Sequence, residues 1–285
     1  MDIDTGYIKK IQNGCQESFA HLIRKYQKYI FNIIVRISPN VSFHEAEDIS
    51  QEVLIKVYNN IPDFRFECTF KVWLYKIVIN SAIDFIRKNK KAKQNKWVNL
   101  RVSDNEYLEK YHPDLLNNPV EARMLIKEMQ IKCLIGFFVC LNQRERAVYI
   151  FGTILKLPGK MGAQILEMTY ANYRKMHSRS KQKIENIMQN SCSLINKKAK
   201  CQCKKALSQC LQNNYIKKGK YEYSSDDVKL FRKSLLSANS VFRKFLNKKC
   251  HKILRSLPQY ESRHTIDSIK KIVTSQDFKA VVNFP

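Results

Sequence analysis

Chemistry in this chain begins with a short aromatic and basic stretch, Pro62-Asp63-Phe64-Arg65-Phe66, and with the polar run Asn80, Asp84, Arg87 and Lys88 that follows it. Two aromatic rings around a cation suit an unstacked base, because a π-face and a positive charge both favour it. The lysines at 90, 91, 93 and 96 extend that run with charges suited to phosphates, which makes binding steeply salt-dependent. A second chemical group is the thiol set Cys192, Cys201, Cys203 and Cys210. Thiolates bind zinc, but Cys201-x-Cys203 lacks the paired C-x2-4-C spacing of structural zinc sites, so the expectation is reduced thiols and no metal. Catalytic signatures are absent. Gly152 and Gly159-Lys160 enclose six residues where a phosphate-binding loop has four, and there is no H-E-x-x-H or G-x-S-x-G. No enzymatic activity and no cofactor are expected.

The elements that must position these residues read as helices. Ser42 and Glu45 have capping-box spacing, so a helix is predicted to start near Phe43. Ile49, Val53, Leu54, Val57, Tyr58 and Ile61 fall on its apolar face, leaving Asp48, Gln51, Glu52 and Ile55 on the other. Pro62 ends it, and Thr69 is placed to cap a second helix of about two dozen residues. In that helix Phe70, Trp73, Leu74, Ile77 and Val78 form the apolar end, with Trp73 read as core. Upstream, residues 5–38 predict a short helix, a turn at Asn13-Gly14 and a long amphipathic helix ending before Pro39-Asn40.

The string EAEDISQEV, followed by F-x-x-WLYKIVIN-x-x-IDFIRK, resembles region 2 of the sigma-70 family, in particular the extracytoplasmic-function (ECF) type of RNA polymerase sigma factor. The resemblance implies an all-α chain that binds bacterial core RNA polymerase and directs promoter recognition and DNA opening. It implies that Asp48, Gln51, Glu52 and Ile55 engage the polymerase, and that Phe64, Arg65, Phe66, Asn80, Asp84, Arg87, Lys88 and Lys91 meet the downstream promoter element and its melted strand. An anti-sigma protein is a further partner the family often has.

Residues 99–118 lose periodicity and gain acids, as a linker does. Short helices resume at 119–190, where LNQRERAVYIF and TYANYRKMHSRSKQKI resemble sigma region 4, a helix-turn-helix domain. Thr169 is placed to cap the last of these helices, and Tyr170, Asn172, Tyr173, Arg174, Lys175 and Arg179 are its upstream-promoter candidates. Met161-Gly162-Ala163 and Glu167 depart from the family pattern, the latter standing where a turn glycine is usual.

The boundaries drawn are region 2 at 1–98, linker at 99–118, region 4 at 119–190 and a Cys- and Lys-rich helical extension at 191–285. The chain has 285 residues, 44% hydrophobic, with a formal net charge of +26, most of it after residue 190. Such a balance favours a polyanion and places nucleic acid first among partners. Nine scattered cysteines and the lack of any membrane-length apolar run point to a cytoplasmic protein with reduced thiols. Two alternatives stay open on residues alone: a stand-alone helix-turn-helix regulator, and a metal or redox sensor using the C-terminal cysteines.

Overall fold

The computed structural model describes residues 3–88, 112, 115, 117–199, 201–219, 223 and 246–259. Among these it is helical, without strands; one isolated parallel bridge joins Cys192 and Cys201. The chain divides into two compact units. The first contains residues 3–88 and 159–170, the second residues 112–158 and 171–258.

In the first unit, α1 (Ile3–Gln12) and α2 (Gln16–Ile37) meet at Gly14, whose φ of 87° is the left-handed conformation that favours glycine. Asp4 is buried near the start of α1 and accepts hydrogen bonds from Lys25 Nζ and the Tyr26 hydroxyl, both at 2.5 Å, so α1 is pinned to α2 by a compensated charge. α3 (Phe43–Asn60) starts where the sequence predicts, with both hydrogen bonds of the Ser42–Glu45 capping box formed. Its apolar face is buried as expected, Ile49, Val53, Leu54, Val57 and Ile61 fully and Tyr58 partly. α4 (Phe70–Lys88) follows directly after Thr69, whose carbonyl accepts from the Trp73 amide. The four helices pack through Ile30, Ile34, Val53, Val57, Val78 and Ala82, all at or near zero exposure.

The second unit opens with α5 (Pro119–Gly136), capped by Asn118, then a 3-10 turn at Phe137–Cys140 and α6 (Gln143–Tyr149), capped by an Asn142–Glu145 box. Arg146 is buried and donates to the carbonyls of Phe138 and Leu141, both at 2.9 Å, so one guanidinium closes the turn between α5 and α6. A π-turn at Ile150–Ile154 continues α6. Gly152 is required there: a Cβ would lie 2.7 Å from the imidazole of His177. The residues assigned by sequence to an extension pack into this unit. α9 (Cys203–Gln212) lies against α5, with Leu125, Met129, Ala206, Leu207, Cys210 and Leu211 in one apolar cluster. α10 (Leu246–Arg255) packs on the π-turn, where Arg255 Nε donates to the Thr153 carbonyl at 2.7 Å.

Between α6 and α9 the chain forms α7 (Gly159–Ile165) and α8 (Tyr170–Ser191). The pair read from sequence as helix-turn-helix is divided by the packing: α7 lies against α4 in the first unit, while α8 from Ala171 onward belongs to the second. Glu167, in the turn between them, has a φ of 51°, the conformation in which glycine is usual, and pairs with Lys76 at 3.0 Å. No helix among the described residues is long and apolar enough to cross a membrane.

Candidate nucleic-acid interface

The loop between α3 and α4 is held by a residue outside it. Gln12 Nε2, at the end of α1, lies within hydrogen-bond reach of the carbonyls of Ile61, Pro62 and Phe64, at 3.1, 3.3 and 3.1 Å. A loop fixed by its own backbone can hold side chains in one orientation without a regular element. Nothing in the local sequence of 61–69 signals this partner, which lies some fifty residues away.

The two phenylalanines of the loop part company. Phe64 is buried at 6% exposure, with its ring centroid 5.2 Å from Trp73 and 6.2 Å from Phe70, so it is not available to a base and its assignment as a strand contact is corrected to core. The physical reason is packing: an aromatic at this point fills the space between the loop and the start of α4. Phe66 is 39% exposed, with its edge toward Phe64 at 5.0 Å and Lys9 Nζ 6.0 Å from its ring. Its φ of 58° is strained for a bulky residue, and it turns the ring outward beside exposed Arg65. Trp73 is half-buried in the same cluster, as a core reading requires.

On α4, Asn80, Asp84, Arg87 and Lys88 are all exposed, at a spacing that places them on one side of the helix. Ser81 and Ala82 are buried behind them. Arg87 lies 3.5 Å from Asp84, an exposed pair that a phosphate could displace at small cost. Lys91, with Lys90, Lys93 and Lys96, lies outside the described residues.

The polar stripe of α3 is accessible. Asp48, Glu52 and Ile55 are exposed and Gln51 is half-buried. His44 Nδ1 lies 3.2 Å from Asp48, and Glu52 pairs with Lys56 at 2.7 Å. Lys56 also donates to Ser81 on α4 at 3.1 Å, so the acidic stripe and the basic face are anchored to the same pair of helices. An exposed isoleucine flanked by acids is a combination suited to docking, with apolar area for affinity and charge for orientation.

In the second unit, Asn172, Arg174, Lys175 and Arg179 on α8 are exposed; Tyr170 and Thr169, which fall in the first unit, are exposed as well. Tyr173 is not. It is 2% exposed, and its hydroxyl donates to the Val148 carbonyl at 3.4 Å, so its assignment to base contact is corrected to core. Burial pushes its hydroxyl up to about 12. Met176 and His177, three and four positions on, are both partly buried, so Tyr173 lies on the helix face that packs inward.

The thiols Cys192, Cys201, Cys203 and Cys210 come near one another and near Cys133, close enough that each raises the Cys133 thiol further beyond what burial does. They do not gather into a set of three sulfurs within ligand distance; the described residues contain one such three-residue group, and it consists of Glu185, Cys250 and His251. All nine cysteines are free thiols.

Comparison with known proteins covers the first of these faces. The model of the family described as sigma-70 region 2 matches residues 22–92, a span that includes α3, the aromatic loop and α4. That stretch of the chain is similar to sigma-70 region 2. The chain is 43% identical over 83 residues to the ECF RNA polymerase sigma factor SigW of Bacillus subtilis, covering 29% of this chain and 43% of that protein. It is 38% identical over 79 residues to the RNA polymerase sigma-H factor of Pseudomonas aeruginosa, covering 28% and 40%. It is 30% identical over 83 residues to the ECF RNA polymerase sigma-E factor of Escherichia coli K12, covering 29% and 42%. The match thus spans less than half the length of these relatives. A solved structure described as CnrH in complex with the cytosolic domain of CnrY aligns with 66% of this chain and 98% of that one, at 15% identity and a TM-score of 0.44.

Proposed function

We propose that this protein is an ECF-type sigma factor that binds bacterial core RNA polymerase and directs promoter recognition and strand opening, without catalysis of its own. The observation that carries the reading is the sigma-70 region 2 match over 22–92, with the polar stripe of α3 and the loop and α4 face both exposed within it. Asp48, Gln51, Glu52 and Ile55 dock on the polymerase. Phe66, Arg65, Asn80, Asp84, Arg87 and Lys88, continued by Lys91, receive the downstream promoter element, with Phe66 stacking on an unpaired base. A base leaving the duplex costs a few kcal/mol, which an aromatic wall and polar edges can offset.

The exposed cations of α8, Arg174, Lys175 and Arg179, hold upstream DNA by its phosphates, and exposed Asn172 beside them reaches base edges. The protein acts in the cytoplasm, where the polymerase is, and an anti-sigma protein is a partner suited to covering the docking face. The test is reconstitution with bacterial core polymerase. Reversing charge with Asp48→Lys and Glu52→Lys should abolish capture of the core enzyme and promoter-directed RNA synthesis while far-UV circular dichroism stays unchanged. Full synthesis by that folded variant would overturn the docking assignment.

A further inference from the structure

Helices α8 and α10 bring together three side chains of metal-ligating type, the adjacent pair Cys250-His251 and Glu185 some sixty-five residues before it. The Cys250 sulfur, a His251 ring nitrogen and a Glu185 carboxylate oxygen all lie within 4.8 Å of one another. Cys250 and His251 are 1% and 4% exposed, and Glu185 is partly buried, so the group has a dry interior and one edge toward solvent. The imidazole is held at both nitrogens. Nε2 lies 2.7 Å from Glu185 Oε1, and Nδ1 lies 2.7 Å from the Tyr149 hydroxyl. We infer that Glu185, Cys250 and His251 form a binding site for one divalent metal ion of the zinc class, with water in the fourth position.

Several properties of the group support this. A ligating histidine characteristically gives its second nitrogen to an outer partner that fixes its tautomer and orientation, and Tyr149 stands in that place. Without metal, Nε2–H donates to Glu185 and the tyrosine hydroxyl donates to Nδ1. With metal, the ring proton would sit on Nδ1 and point at the tyrosine oxygen, the tyrosine hydrogen would turn away from the ring, the Cys250 thiol would release its proton to solvent, and the Nε2 lone pair would be left for the ion.

Charge is balanced as well. One thiolate, one carboxylate and a neutral imidazole around a divalent cation sum to zero, so the filled centre does not leave an uncompensated charge in the interior. Mixed sulfur, nitrogen and oxygen donors select zinc or cobalt over magnesium or calcium, which take oxygen. The site is distinct from the thiols between Cys192 and Cys210. It ties α10 to α8 inside the second unit, and the inference does not rest on the transcription reading.

The experiment uses the full chain, stripped with chelator and kept in a non-thiol reductant, titrated with Co2+ and then Zn2+. The expected result is one Co2+ per chain with a thiolate-to-cobalt charge-transfer band, displaced by Zn2+. Cys250→Ser should remove the band, Glu185→Gln should weaken binding at least about tenfold, and Tyr149→Phe should weaken it roughly 10- to 100-fold through lost orientation of the ring. The double variant Cys201→Ser, Cys203→Ser should bind as the wild type does. The inference is overturned if the wild type binds no stoichiometric metal, or if the band survives Cys250→Ser and vanishes in the Cys201, Cys203 double variant. Should Cys250→Ser fail to fold, Glu185→Gln decides: binding within twofold of wild type overturns the site, and a tenfold loss with unchanged circular dichroism sustains it.

Discussion

Replacing Phe66 by alanine separates the outward ring from the inward one. Phe66 is 39% exposed and its contribution to the fold is an edge contact with Phe64, worth about 0.5–1.5 kcal/mol. Alanine keeps the strained positive φ, so the fold should lose no more than about that amount. If the ring stacks on an unpaired base, its loss removes about 1–3 kcal/mol from binding of the melted strand, roughly a 5- to 150-fold weaker affinity. Phe64→Ala should behave oppositely, because truncating a buried phenylalanine costs about 3–5 kcal/mol out of a total stability of about 5–15.

The assay compares reconstituted holoenzyme on a forked promoter with an exposed downstream strand and on the same promoter as full duplex. The promoter itself is one selected by wild-type holoenzyme from a random library. Phe66→Ala should weaken forked binding and leave urea unfolding nearly unchanged, and Phe66→Trp should restore the forked affinity. Wild-type affinity of Phe66→Ala for the forked DNA, with the fold intact, would refute the stacking role and leave the exposed ring without a function in the loop.

Other outcomes follow from single contacts. Ser42→Ala removes a fully formed capping box and should cost about 0.5–2 kcal/mol in denaturant unfolding with no change in m-value. Arg174→Ala combined with Lys175→Ala should weaken DNA binding nearly independently of sequence and reduce the slope of log affinity against log salt by about two, whereas Tyr173→Ala should destabilise the fold instead. Cys15, the N-cap of α2, has its thiol lowered chiefly by the Ser18 hydroxyl at 3.2 Å, while burial pushes Cys192, Cys210 and Cys250 up to about 12. Its thiolate fraction therefore grows at lower pH than theirs, and alkylation followed by mass spectrometry should label Cys15 well before those three at neutral pH.

Much of the first unit was legible in the residues because its determinants are local. Ser42 and Glu45 start α3 with their own side chains, Pro62 closes it, and a three-and-four apolar spacing is enough to say that Val53 and Val57 face inward while Asp48 and Glu52 do not. The match to region 2 is dense there for the same reason: pattern and function occupy one continuous stretch. Local periodicity could not distinguish Phe64 from Phe66, two residues apart in a loop without a repeat, nor show Tyr173 as core on a helix whose neighbours are cationic.

Those distinctions were made by distant partners. Gln12 reaches three carbonyls of the aromatic loop from α1, α9 covers α5 across some eighty residues, and Tyr149, Glu185 and His251 meet from three separate helices. The adjacent pair Cys250-His251 was the visible trace of that last meeting, but two donors side by side on one helix do not define a site. Sequence alone determined which stretches are helical and which face of each is apolar, since both depend on residues within a few turns. Only the tertiary structure decided which aromatic is wall and which is core, and which donors converge, because each depends on a contact whose other half lies elsewhere in the chain.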